Sequence, residues 1–134
     1  MARRADRTRA AGIVTPLVFA AVVAAGGLGA ALRFALDSAV RGRTGERFPW
    51  GILAVNLTGA FALGLVTPLV VDEAWRWIVG TGLLGGYTTF SAVAVTTALL
   101  AEEGRTRAAA TYAVASFAGS VLAAVLGLTL GHAA

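Results

Sequence analysis

The sequence contains no cysteine, so disulfides, thiol catalysis and cysteine-ligated metal sites are excluded. It contains no lysine either: all 11 basic residues are arginine, set against 7 acidic residues for a net charge of +4. Charge is scarcest inside the apolar stretches. Four blocks, Ala10–Leu32, Phe48–Val71, Trp77–Ala101 and Ala108–Gly131, run for 23 to 25 residues each without a charged side chain. Proton-coupled transporters need a titratable group within the span, and none lies deep in any block. Proton-driven drug export therefore fails, and passive conduction is the starting expectation for any transport role. No residue pattern supports an enzyme.

What the chain has in abundance is apolar surface. Of its 134 residues 57% are hydrophobic, and the mean hydropathy is +0.78. A helix crosses a bilayer with about 20 residues. A soluble four-helix bundle would carry a polar stripe on every helix, and these blocks carry none. The expectation is a single-domain all-α membrane protein over residues 1–134, with four transmembrane helices and a basic tail at 1–10, multi-pass in the cell (plasma or inner) membrane. Arginine excess beside such helices suits topology and lipid headgroups, not nucleic acid. The first apolar run is long for a cleavable signal and continues into Arg33, so it is expected to stay as a span. Helix 1 is expected over roughly Ile13–Leu36, followed by a loop at Asp37–Arg47. Helix 2 opens at "FPWG", and the short turns "DEAWRW" and "AEEGRTR" make neighbouring helices antiparallel.

The arginines test orientation. One side of the membrane would hold Arg3, Arg4, Arg7, Arg9 and Arg76, five in all; the other would hold Arg33, Arg41, Arg43, Arg47, Arg105 and Arg107, six in all. The positive-inside rule gives almost no preference, as expected of a chain that inserts both ways.

Few polar groups remain inside the spans. Asn56 is the only amide there, and two roles fit it: a hydrogen-bonded link between helices or a donor lining a pore. Tyr112, Ser116 and Ser120 fall at i, i+4 and i+8 and share one helix face. The stretch "GGYTTFSAV" (85–93) sets poor helix formers at the middle of the third block. Two explanations are open. Gly82 and Gly86, four apart, could form a close-packed dimerisation face. Alternatively, the helix is broken at mid-membrane, which leaves carbonyls free for a hard cation such as sodium.

Three motifs then fall in order. "GGLGAALRF" (26–34), "FPWGILAVNLTGAF" (48–61) and "GLLGGYTTFS" (82–91) resemble the glycine–arginine, P-x-G-T-L-x-x-N-x-x-G-x-F and G-x-x-G-G-x-T-T-F-S motifs of the small bacterial fluoride channels called Fluc or CrcB. The resemblance spans Gly26 to Ser120. It implies an antiparallel, dual-topology dimer that conducts fluoride passively out of the cell, with one structural, non-transported sodium ion at its centre. By motif position it implies that backbone carbonyls of Gly85 and Thr88 hold the sodium. It assigns the fluoride pathway to Asn56, Phe90, Tyr112, Ser116 and Ser120, with Arg33 as a charge at the aqueous vestibule. The chain departs from the family pattern at Ile52, Ala92, Val93 and Thr96, where the family has Thr, Thr, a second Phe and usually Glu. Homodimer and heterodimer with a related subunit are both compatible, and a weakly conducting structural subunit of a heterodimeric channel is the alternative function.

Overall fold

The computed structural model describes residues 14–134, and the basic tail at 1–10 lies outside them. Helix α1 (Pro16–Thr44) begins where the Thr15 hydroxyl accepts the Val18 amide at 3.2 Å and Pro16 takes the first turn, a position where a missing N–H costs nothing. It does not stop at Leu36. The expected loop at Asp37–Arg47 is instead helical up to Thr44, for three local reasons. Asp37 and Arg41 form an i,i+4 ion pair, a spacing that supports helix. Arg41 and Arg43 lie in the last turn, where the helix dipole favours cations. Gly45 then ends the helix at φ 74°, its amide bonded to the Arg41 carbonyl at 2.9 Å.

Helix α2 (Trp50–Leu69) follows Pro49 and holds Pro68 in its last turn. Asp72 caps the short α3 (Glu73–Trp75), its carboxylate accepting the Trp75 amide at 3.1 Å. The chain then widens into a π-helical segment, Arg76–Leu84, a rare form that tends to occur at functional places. A single turn, α4 (Gly85–Tyr87), leads to two extended residues, Thr88 and Thr89, and then to α5 (Phe90–Glu102). Gly104, at φ 74°, turns the chain into α6 (Thr106–Ala133). The described residues contain no strand. Four rods, α1, α2, the composite Glu73–Glu102 and α6, are each long and apolar enough to cross a membrane.

Lipid offers no hydrophobic drive for helices to associate, so close packing by small residues must do it. Helix α2 packs most extensively on α6, and α1 on the π segment and α4. At both seams the backbones nearly touch. A Cβ at Gly64 would strike the Ala124 carbonyl, and one at Gly127 would strike that of Phe61. On the other seam a Cβ at Gly86 would strike the Gly26 carbonyl, and one at Gly82 would sit 2.8 Å from that of Val22. The Gly82/Gly86 face is thus engaged within the chain, against α1. Bulky side chains such as Leu17, Phe34 and Leu122 are exposed, while the small core, around Leu53, Leu100 and Tyr112, lies where α2, α5 and α6 meet.

This packing predicts that Gly64→Ala and Gly127→Ala each cost about 1–3 kcal/mol through overpacking, read as a lower thermal unfolding midpoint in detergent. Gly27→Ala, where nothing lies within 4 Å of the added methyl, should leave the midpoint unchanged. Equal midpoints for all three would contradict backbone contact at the α2–α6 seam.

Candidate functional site

The site is organised by the two extended residues. Thr88 (ψ 158°) and Thr89 (φ −151°, ψ 120°) leave the helix, and each backbone group set free in an apolar setting needs a partner. Asn56, on α2, supplies two. Its Oδ1 accepts the Thr89 amide at 2.8 Å, and its Nδ2 donates to the Thr89 carbonyl at 2.9 Å. The Asn56 side chain therefore pairs with Thr89 as a neighbouring strand would. Gly59, one turn on, makes room: a Cβ there would strike the Thr88 methyl and lie 2.9 Å from the Tyr87 ring. The Thr89 hydroxyl accepts the Ala92 amide at 3.2 Å and caps α5.

These bonds have a consequence for two carbonyls. A continuous helix would send the Thr89 amide to the Gly85 carbonyl and the Ala92 amide to that of Thr88. Both amides are diverted, one to Asn56 and one to the Thr89 hydroxyl. The Gly85 and Thr88 oxygens thereby lose their helical donors, and Gly85 lies exposed on the surface.

A second feature runs along the α5–α6 seam. The hydroxyls of Thr97, Tyr112 and Ser116 are enclosed and have no hydrogen-bond partner. Membrane-helix threonines ordinarily bond back to the preceding turn. Thr58, Thr67 and Thr88 do so, to the carbonyls of Ala54, Leu63 and Leu84 at 2.7, 2.6 and 2.9 Å; Thr97 does not. A buried hydroxyl with no partner at all costs about 1–3 kcal/mol, and Tyr112 and Ser116 have each other as hydrogen-bonding neighbours. Tyr112 is fully buried, its ring edge-on to Phe48 at 5.8 Å between centroids. Ser116 and Thr96 are hydrogen-bonding neighbours of its hydroxyl, though neither reaches good hydrogen-bond geometry.

The structure brings some of the sequence-selected residues together and separates others. Asn56, Thr88, Phe90, Ser116 and Ser120 line one groove of about 710 Å³, and the Phe90 ring is 83% exposed there. Tyr112 lies beyond Ser116, outside that groove. Arg33 is elsewhere again, in a cavity of about 410 Å³ with Asp37, Thr89 and Ser91. Thr97, which also lines the groove, escaped the sequence reading: it sits in the apolar run "AVAVTTALL", and nothing in its spacing marks it. Val93 is buried in the core cluster with Tyr112.

Four apolar rods with polar groups gathered at a helix interruption, a groove and a helix seam define a multi-pass membrane protein. The family described as "CrcB-like protein, Camphor Resistance (CrcB)" matches residues 20–128, and the chain belongs to it. Curated relatives agree. Fluoride-specific ion channel FluC 1 of Leifsonia xyli subsp. xyli (strain CTCB07) is 47% identical over 122 residues, covering 88% of this chain and 89% of that one. Fluoride-specific ion channel FluC of Chelativorans sp. (strain BNC1) is 42% identical over 112 residues, covering 80% and 90%. That of Mesorhizobium japonicum (strain LMG 29417 / CECT 9101 / MAFF 303099) is 39% identical over 115 residues, covering 83% and 93%.

The Asn56–Thr89 pairing predicts that Asn56→Ala strands both Thr89 groups, at about 1–3 kcal/mol each. Asn56→Asp should be at least as damaging to stability, because it sets a carboxylate oxygen against the Thr89 carbonyl. Thermal unfolding in detergent checks this; an unchanged midpoint in both variants would mean that Asn56 does not support the interruption.

Proposed function

We propose that this protein is a fluoride-specific ion channel that lets fluoride leave the cell passively and so lowers cytoplasmic fluoride. The observation that carries the reading is the set of enclosed, unpaired hydroxyls at Thr97, Tyr112 and Ser116. Fluoride is a small, strongly hydrated anion, and a dry passage must replace its water with hydrogen-bond donors. Hydroxyl and amide N–H groups are donors, and aromatic ring edges carry partial positive charge. Ser120, Ser116 and Tyr112 offer the hydroxyls, Asn56 retains one N–H beyond its bonds to Thr89, and Phe90 offers its exposed ring. Arg33, at the neighbouring cavity, raises the local anion concentration. The FluC names of the relatives supply the identity of the anion.

The working unit in this reading is an antiparallel, dual-topology dimer. The five-to-six arginine balance supports it, as do the exposed Phe90 ring and the exposed Gly85. A structural sodium ion fits the interruption. The donor set there is neutral backbone oxygen, which unwound membrane helices use for sodium, and the Gly85 and Thr88 carbonyls have lost their helical amides. Those two carbonyls from each subunit would hold the ion, whose charge would tie the subunits together. The alternative, a weakly conducting structural subunit of a heterodimeric channel, is favoured by Val93: it lines the groove beside Phe90, so an aliphatic side chain stands where the family pattern has its second ring.

The test separates conduction from stability. Ser116→Ala removes a buried hydroxyl whose one hydrogen-bonding neighbour named on the helix seam is Tyr112, so it should shift the unfolding midpoint only slightly while lowering fluoride efflux from liposomes about tenfold or more. Full efflux from Ser116→Ala would overturn the donor pathway. For the cation, replacing sodium by a large organic cation should suppress efflux, and Thr88→Pro should be far more damaging than Thr88→Ser. Equal loss from Ser and Pro would move the role from the Thr88 carbonyl to its side chain.

A further inference from the structure

Asp37 is the one buried acidic side chain among the described residues, at 8% exposure. A carboxylate away from water is costly unless partnered, and its partner Arg41 is placed asymmetrically: the Arg41 side chain is 52% exposed, that of Asp37 only 11%. The carboxylate points inward and the guanidinium outward. Inward lies the first turn of α2. Gly51 fits there because any Cβ would strike the Asp37 carboxylate and approach its backbone. The amino-terminal turn of a helix favours an anion, so Asp37 occupies a place where a free anion would also be stabilised.

That place adjoins the hydroxyl seam. Asp37, Arg41 and Thr96 line a cavity of about 230 Å³, and Asp37 is also part of the wall of the Arg33 cavity. Phe48 lines the same cavity, and its ring meets that of Tyr112 edge-on with 5.8 Å between centroids. From this arrangement we propose that Asp37 sets the rate of anion passage at the Tyr112 end of the route, as a fixed negative charge that opposes fluoride and is offset by Arg41. The proposal rests on the fluoride-channel reading above. A purely structural ion pair makes a different prediction: breaking it from either end would harm the protein in the same direction.

Fluoride efflux from liposomes containing wild type, Asp37→Asn, Arg41→Gln and the double variant tells the two apart. The expected result is opposite signs: Asp37→Asn faster and Arg41→Gln slower than wild type, each by about two- to fivefold at low ionic strength, with the double variant near wild type. The Arg41→Gln difference should shrink in about 1 M impermeant salt, because the half-exposed Arg41 is screened by ions far more than the buried Asp37. Losses of the same sign in both single variants, unaffected by salt, would overturn the proposal. Should Asp37→Asn not fold, the salt dependence of Arg41→Gln decides: slower efflux that returns toward wild type in about 1 M impermeant salt supports it, and slower efflux unaffected by salt overturns it. Absence of fluoride efflux from wild type would remove the channel reading and this proposal together, whereas wild-type efflux with same-sign losses removes this proposal alone.

Discussion

The two-point hydrogen bond between Asn56 and Thr89 is the interaction on which the rest of the structure depends. Lipid gives no partner to a free amide or carbonyl, so a membrane helix can be interrupted only where protein groups stand in. Asn56 stands in for both groups of one residue at once. The interruption then needs little else: a hydroxyl cap on α5 and a glycine at 59 to admit Thr88 and Tyr87. By accepting the Thr89 amide, Asn56 takes it from Gly85, so one side chain both stabilises the irregular backbone and bares an oxygen beside it.

The glycine seams make this arrangement rigid. Backbone-to-backbone contact along α1 and the third span fixes the segment before the interruption, and similar contact between α2 and α6 fixes the helices that carry Asn56 and the serine stripe. Within that frame three hydroxyls stay unpaired. Thr97 could satisfy itself by rotating to its own backbone, as other threonines of the chain do. Hydroxyls left free to turn toward a guest are suitable for an anion that must shed water.

Much of this was legible in the sequence, and the exceptions have physical reasons. The four spans follow from uncharged runs of bilayer length, and the Tyr112–Ser116–Ser120 face follows from helical spacing. The end of α1 was not visible, because Asp37, Arg41 and Arg43 look like loop charges; only pairing at i,i+4 and the Gly45 cap reveal them as helix. Asn56 offered two roles on equal terms, since its partner Thr89 is 33 residues away and no local pattern joins them. Gly82 and Gly86 announced close packing without naming the surface they pack on, which is α1. The π-helical stretch and Thr97 left no signal: the one reflects tertiary packing, the other a side-chain rotamer.

The central claim is that the seam and groove conduct fluoride chiefly by hydrogen-bond donation. Its most direct measurement is anion efflux from liposomes that contain only this purified protein, with fluoride and chloride gradients followed separately in sodium buffer. The account predicts fluoride efflux well above that of empty liposomes, with chloride retained. Efflux of both anions alike, or of neither, would contradict it.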